Sequence, residues 1–378
     1  MGSCGADFQR LAAQLGDFGC AGQNAVVNLH NPFALDHWTM LVIELAMIVG
    51  AVLALLHALR QRREGNPTTL GIWLASLVYL VFVEPPLYFP ESFGLQDQVG
   101  LIFVHNEFTV QFMWGRLPLY IVSIYPVLAV LTYELVRATG VMERRGRFAS
   151  AVTVGFVFHC VYEVFDMVGP QLSWWIWNPT APTNEPFLAA VPVSSMVNLA
   201  LAGPVVLAFL AMWLVGGRPD APNLSTRSLV GWSALAGVLM PLGLVIGGMP
   251  ATVFSLGEVT NHTAQGIAYF TMLAIAGVVA ISALLDAYRH RAGSVDAPTR
   301  RYLTAHASIY LGALVIAWIA ALPEYVAARD GITSSGTPIG SLPYAAACLA
   351  FSLGFLWLAL ARRPGVVSED AGAVAVSV

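Results

Sequence analysis

The sequence contains no lysine: all 18 of its basic residues are arginine, and charged residues make up only 11% of its 378 positions. A soluble globular chain carries roughly 25% charged residues, so a water-facing surface of ordinary extent is excluded. The arginine-only basic set reads as a compositional habit without functional content. The net charge of -4 offers nothing for nucleic acid to bind. Cysteine is scarce, at four residues. Cys160 and Cys348 fall in apolar runs and are expected to be small buried side chains. Cys4 and Cys20 precede the first long apolar run and lack metal-ligand spacing; outside a cell they would suit a disulfide. Residues 1–37 have neither a basic n-region nor an apolar h-region, so no cleavable signal peptide is expected.

Whole classes of chemistry are missing as well. There is no Gly-rich phosphate loop, no Gly-x-Ser-x-Gly, no paired-histidine cluster of the membrane desaturase kind, and no Asp-rich pair of the prenyl-diphosphate kind. These absences disfavour nucleotide use, serine hydrolysis, haem transport by paired histidines and di-iron oxidation. No cofactor is expected.

What the chain has in abundance is apolar sequence: 57% of residues are hydrophobic and the mean hydropathy is +0.70. A membrane span needs about 20 mostly apolar residues. Nine stretches qualify, at 38–59, 69–89, 112–136, 148–169, 187–215, 228–250, 263–287, 302–326 and 339–361. In hydrocarbon every backbone N–H and C=O must be satisfied internally, and runs this uniformly apolar satisfy them as helices rather than barrel strands. The expected fold class is therefore all-α, a polytopic transmembrane bundle of about nine spans in a cell membrane, such as a bacterial inner membrane.

Arginine placement orients the bundle. Short cytoplasmic loops are enriched in Lys and Arg, and 15 of the 18 arginines follow the first, third, fifth, seventh and ninth spans. Only Arg10, Arg116 and Arg329 lie on the other side. This alternation implies an N-terminus outside and a C-terminus in the cytoplasm. Residues 1–37 are then an extracytoplasmic segment, 38–363 one transmembrane domain, and 364–378 a mobile cytoplasmic tail.

An ionisable side chain at membrane depth is expensive unless paired, which makes each one a functional candidate. Glu44, Glu84, Glu163 and Asp166 fall in the outer parts of their spans, with His159 near mid-span. His105, Glu107 and Arg116 lead into the third span, Glu258, Asn261 and His262 bracket the start of the seventh, and Glu324 ends the eighth. Arg116, against the positive-inside trend, is expected to pair with one of the carboxylates. Glu84 precedes Pro85 and Pro86, which end or kink a helix. The inner halves hold little beyond His57, Glu134, Asp286 and His306. The expectation is a polar chamber in the outer half, lined by residues from six spans.

The sharpest element is His159, Glu163 and Asp166, at i, i+4 and i+7 on one helical stripe. Three readings stay open: hydrogen-bonding contacts between helices, an acid/base or substrate site, and a metal site. No metal is assigned. Trp174, Trp175 and Trp177 follow, either as an interfacial belt or as rings that stabilise a cation.

Tyr162, Glu163, Asp166, Gly169 and Pro170, then Trp174, Trp175 and Trp177, then Pro186, Phe187, Val191, Pro192 and Val193 form an arrangement that resembles the membrane carotenoid-biosynthesis family containing the carotenoid 1,2-hydratases. The likeness spans residues 162–193; the loop is Trp-rich where that family favours Pro-Phe-Gly. Other membrane terpenoid enzymes are comparably similar. The resemblance implies an integral membrane enzyme and carries over Glu163 and Asp166 as functional residues.

Together these point to an enzyme acting on a lipophilic, isoprenoid-type small molecule or membrane lipid, with no nucleic-acid partner. Asp166 or Glu163 would protonate an alkene, His159 would orient or reload the acid, and Tyr162, Trp174 or Trp175 would shield the cation before hydration or cyclisation. The rivals are a proton-coupled transporter using the same carboxylates, for which no internal repeat is found, and a non-catalytic subunit of a membrane complex.

Overall fold

A computed structural model describes residues 5–16, 18–19, 22–182, 184–255, 260–290 and 292–361. Cys4, Cys20, Glu258 and the segment 364–378, all singled out above, lie outside the described residues. A short helix α1 (Ala6–Ala12) and a strand β1 (Val27–Leu29) lead into α2 (Trp38–Arg63) and α3 (Thr68–Tyr88). Three short strands, β2 (Phe103–His105), β3 (Val110–Phe112) and β4 (Leu117–Pro118), precede α4 (Leu119–Ala138), the short α5 (Val141–Arg144) and α6 (Arg147–Asp166). Then come β5 (Trp175–Trp177), β6 (Pro186–Leu188) and β7 (Val191–Pro192). The fifth span is composite: π-helical turns at Ser195–Ala202 and Met212–Gly216 flank α7 (Gly203–Ala211). Four long helices complete the chain: α8 (Thr226–Thr252), α9 (His262–Arg289), α10 (Ala297–Ala327) and α11 (Leu342–Leu360).

Among the described residues nine helices are long and apolar enough to cross a membrane, one for each stretch marked by hydropathy. The all-α class holds, and nine such helices are compatible with a multi-pass membrane protein. The eighth helix starts five residues before the hydropathy reading, at Ala297, and two span starts come seven or more residues after it. The third begins at Leu119, not 112, because Met113, Trp114 and Gly115 have φ of 55°, 57° and 72°, a left-handed turn that joins β3 to β4 and cannot belong to a right-handed helix. The fifth begins at Ser195, not 187, because the apolar residues before it pair as the β6–β7 hairpin. Pro85 and Pro86 do not end α3; it runs on to Tyr88.

Helices α4 and α6 form the centre. Their most apolar stretches are 83% and 89% buried, against 28% for the spans beginning at Thr226 and Leu342. Close approach around α6 rests on small residues: a Cβ added at Gly155 would overlap Val205 of α7.

Strands β2 and β5 pair antiparallel over one end of this centre, with Phe103 opposite Trp177 and His105 opposite Trp175. Side chains alternate across a strand, so these four share one face of the ribbon. Val104 and Ile176 take the other face and pack under Phe8 and Leu11 of α1. The N-terminal helix thus covers a ribbon whose inner face is aromatic.

Candidate functional site

The inner face of the ribbon closes a cavity between α3, α4, α6 and the fifth span. The space between its atoms, mouth included, is about 740 Å³. Its walls are almost wholly apolar, with Ile121, Ile124 and Leu128 of α4, Phe158, Tyr162 and Phe165 of α6, and Leu199, Pro204 and Leu207 of the fifth span. Phe103, His105, Trp175 and Trp177 form the ribbon end, and Glu84 is the one carboxyl among the described lining residues.

Glu84 is 4% exposed. The Tyr125 hydroxyl donates to its Oε1, and the Tyr88 phenol is a second neighbour of the same group. His105 lies across from it in β2, its Nδ1 3.0 Å from the Tyr120 hydroxyl. Burial pushes the His105 imidazole down to about 3, against a partial upward pull from the Trp174 backbone, so the ring is neutral at ordinary pH. The Trp175 ring lies tilted by 32° against Phe165, with centroids 4.9 Å apart, and meets Trp177 edge-on at 6.0 Å.

The cavity brings together five of the residues singled out from sequence: Glu84, His105, Tyr162, Trp175 and Trp177. The stripe of His159, Glu163 and Asp166 does not line it. On α6 the cavity-facing positions are Phe158, Tyr162 and Phe165, with the same spacing but one residue earlier, which is about 100° of helix rotation. The His159 stripe turns instead toward other helices. His159 Nε2 is 2.7 Å from the Tyr344 hydroxyl, which is 2.7 Å from the Tyr269 hydroxyl. His159 Nδ1 stands 3.6 Å from Glu163, and Ser195 donates to Asp166 at 2.7 Å. Glu163 is fully buried, and neither of its oxygens has a hydrogen bond among the described residues. Among the described residues no group of three or more His, Cys, Asp or Glu side chains is arranged to hold a metal ion.

The other candidates do not converge on this chamber, because each satisfies a local need. Glu44 accepts the backbone N–H groups of Thr109 and Val110 and so ties β3 to α2. The Arg116 Nη1 donates to the Tyr88 carbonyl at 2.6 Å, and its guanidinium lies over the rings of Phe8 and Phe89. Burial lowers Arg116 to about 10, partly opposed by the nearby Glu91 charge. Trp174 is fully buried and donates to Thr39 Oγ1 at 3.1 Å. Glu107 sits 3.8 Å from His30, Asn261 caps α9, and His262 pairs with Glu185 at 2.8 Å. Glu324 accepts from the backbone and hydroxyl of Ser334. Glu258 lies outside the described residues.

Sequence reading also overlooked a cluster at the opposite end of the bundle. Glu134 accepts from Thr69 at 2.6 Å and from Arg137 at 2.6 and 2.9 Å, with His57 Nε2 3.1 Å away. The His57 ring stacks on Tyr302 at 3.9 Å, and the Tyr302 hydroxyl is 2.9 Å from His306 Nδ1. The i, i+3 spacing of Glu134 and Arg137 was the available signal.

Residues 13–215 match a family described as a domain of unknown function, DUF7802. The chain belongs to this family. Neither a curated protein nor a solved structure matches it. The DUF7802 match has a structural meaning: every lining residue of the cavity, from Tyr79 to Leu207, falls inside it. Tyr269 and Tyr344, the hydroxyls against His159, fall outside, as do Tyr302 and His306 of the opposite cluster.

Proposed function

We propose that this DUF7802 chain is a membrane enzyme, N-terminus outside and C-terminus cytoplasmic, that takes a lipophilic, isoprenoid-type molecule into the aromatic cavity and protonates it from Glu84. The observation that carries this reading is the single carboxyl, backed by two phenols, in an otherwise apolar and aromatic enclosure. Partial exposure among the lining residues is confined to Tyr125, Phe158 and Leu199, which lie within spans, so the mouth opens at the depth of the lipid tails.

The chemistry balances without a cofactor. The Glu84 O–H bond breaks and its proton adds to one carbon of a trisubstituted alkene. The π pair becomes the new C–H bond, leaving a tertiary cation on the other carbon. The rings of Trp175, Trp177 and Phe103 offer their negative faces to that charge. Capture by water, with return of one proton to the Glu84 carboxylate, gives net hydration; attack by a second alkene followed by proton loss gives an isomeric ring. The acid assigned by this reading is Glu84, in place of Asp166 or Glu163, because it alone of the three borders the cavity.

The test is mass spectrometry of lipid extracts from cells expressing the wild-type chain or Glu84→Gln. New isoprenoid species heavier by one water, or isomeric with the precursor, are expected with wild type only. Identical lipid profiles from wild-type and empty-vector cells, in a strain that makes C30–C50 polyenes, contradict the reading.

Proton-coupled transport is a second reading, favoured by the buried Glu134 cluster. Polar groups buried in both halves of the bundle supply what a proton path across it needs. Uncoupler-sensitive proton uptake by reconstituted vesicles would distinguish transport from catalysis.

A further inference from the structure

The cavity wall holds two donors that the protein leaves unused. Trp175 and Trp177 are 3% and 6% exposed, both border the cavity, and neither indole Nε1–H has a hydrogen-bond partner among the described residues. Buried Trp N–H groups ordinarily find an acceptor, and leaving a buried donor unsatisfied is costly. Two such donors sit two residues apart on the same face of one strand. The neighbouring Trp174, by contrast, spends its N–H on Thr39. The seating of Trp175 is specific: Gly169 accommodates the Cζ3–Cη2 edge of its ring, leaving the pyrrole edge away from that contact.

Charge narrows the ligand further. No arginine borders the cavity among the described residues, and its one ionisable acid is Glu84. A phosphate or carboxylate head would enter an apolar site beside that carboxyl with no cation to neutralise it, which is unfavourable.

We infer that the ligand of this cavity is a neutral, oxygen-bearing lipid, a ketone, quinone or alcohol, whose oxygen accepts from the indole N–H groups of Trp175 and Trp177 while its hydrocarbon lies along α4 and the fifth span. Each Nε1 is itself shielded from open space, so a rotation of its ring is what presents the donor to the ligand. This inference rests on the reading of the cavity as a lipid site and adds to it the polarity, charge and direction of the molecule. An oxygen held against the ribbon would fix which alkene meets Glu84.

The probes are tridecan-2-one labelled with 13C at its carbonyl, tridecane, and dodecyl phosphate. Each is equilibrated with the full chain in lipid nanodiscs, and retention is compared with empty nanodiscs. The ketone should be retained about tenfold more than the alkane, the gain expected of one to two net hydrogen bonds, and its 13C=O band should move to lower frequency. Trp175→Phe combined with Trp177→Phe keeps both rings aromatic and should erase the ketone preference and the band shift while alkane retention stays. Equal retention of ketone and alkane, an unshifted band, or a phosphate retained above the ketone overturns the inference while the lipid-site reading stands. Retention of none of the three overturns both. The wild-type comparison needs no variant, so a poorly folding double substitution does not blunt the test.

Discussion

Gly169 is the seat of Trp175: a Cβ at position 169 would overlap Cζ3 and Cη2 of the indole ring. The contact joins the end of α6 to the ribbon strand β5 and so fixes one wall of the cavity. Gly169→Ala must push the ring toward Phe165 or into the cavity. Overpacking of this kind costs about 1–3 kcal/mol. The expected outcome is a lower melting temperature together with altered tryptophan fluorescence. An unchanged melt and spectrum would mean that the ring has room to give.

The pH dependence of stability should carry the signature of His105. Its folded-state value is depressed to about 3 by burial, with the Trp174 backbone pulling partly the other way, while an unfolded histidine titrates near 6.5. Between these values the unfolded chain binds a proton that the folded chain refuses. The contribution of His105 is therefore fully present above about pH 6.5 and is lost as the pH falls, by up to about 1.4 kcal/mol per pH unit. His105→Gln removes the group, so thermal melts from pH 7 to pH 4 should fall less steeply for the variant. Equal slopes would contradict a neutral, buried His105.

Two acidic groups toward the arginine-rich end should respond unequally to truncation. Glu134 is fully buried and accepts from Thr69 and Arg137. Glu134→Ala leaves the Arg137 guanidinium, whose side chain is 30% exposed, without its acceptor. Breaking a buried pair in this way costs about 3 kcal/mol; removing both partners as Glu134→Leu with Arg137→Leu should restore much of it. Asp286 pairs with Arg144 in an exposed setting, and Asp286→Ala should leave the melt unchanged. A mild Glu134→Ala would show that water reaches the cluster.

Orientation is open to direct labelling. In a background with Cys4, Cys20, Cys160 and Cys348 replaced by serine, an impermeant thiol reagent on intact cells should mark Ser334→Cys and miss Ser294→Cys. Ser294 lies between α9 and α10, and Ser334 between α10 and α11, so one membrane crossing separates them. Labelling of Ser294→Cys without permeabilisation would reverse the proposed orientation.

The spans were legible because hydrocarbon sets a minimum length for an apolar run, and nothing shorter satisfies the backbone. Their starts were less so: Phe187, Leu188 and Val191 are as apolar as any helix residue, yet they belong to a hairpin, and pairing between strands leaves no mark in hydropathy. The cavity was legible only in depth. Glu44, Glu84 and Glu324 each fall toward the end of a span, but azimuth decides what a side chain meets. Depth could not separate Glu84, which borders the cavity, from Glu44, which holds backbone N–H groups of the following loop. On α6 a one-residue offset divides the aromatic face from the polar one. Arg116 meets a carbonyl and two ring faces, contacts that no charge count anticipates.

That offset on α6 also supplies the sharpest test of which carboxyl does the chemistry. Glu84, Glu163 and Asp166 are all buried acids in the same part of the bundle, and each can be replaced by its amide with little change of shape. Loss of a general acid typically costs about 10²–10⁴ in rate. If Glu84 is the donor, Glu84→Gln should abolish formation of the new lipid species while the protein accumulates normally, its Tyr125 contact preserved by the amide oxygen. Asp166→Asn still accepts from Ser195, and Glu163→Gln faces the Tyr269 and Tyr344 side rather than the cavity, so both should keep activity to within a few-fold of wild type, on the order of what a displaced contact costs. Activity lost in Asp166→Asn or Glu163→Gln, with Glu84→Gln active, would return the acid to α6 and require the substrate to reach behind Tyr162. Loss in all three with normal accumulation would favour a proton path through the bundle over a single donor, and proton uptake in reconstituted vesicles would then decide between enzyme and transporter.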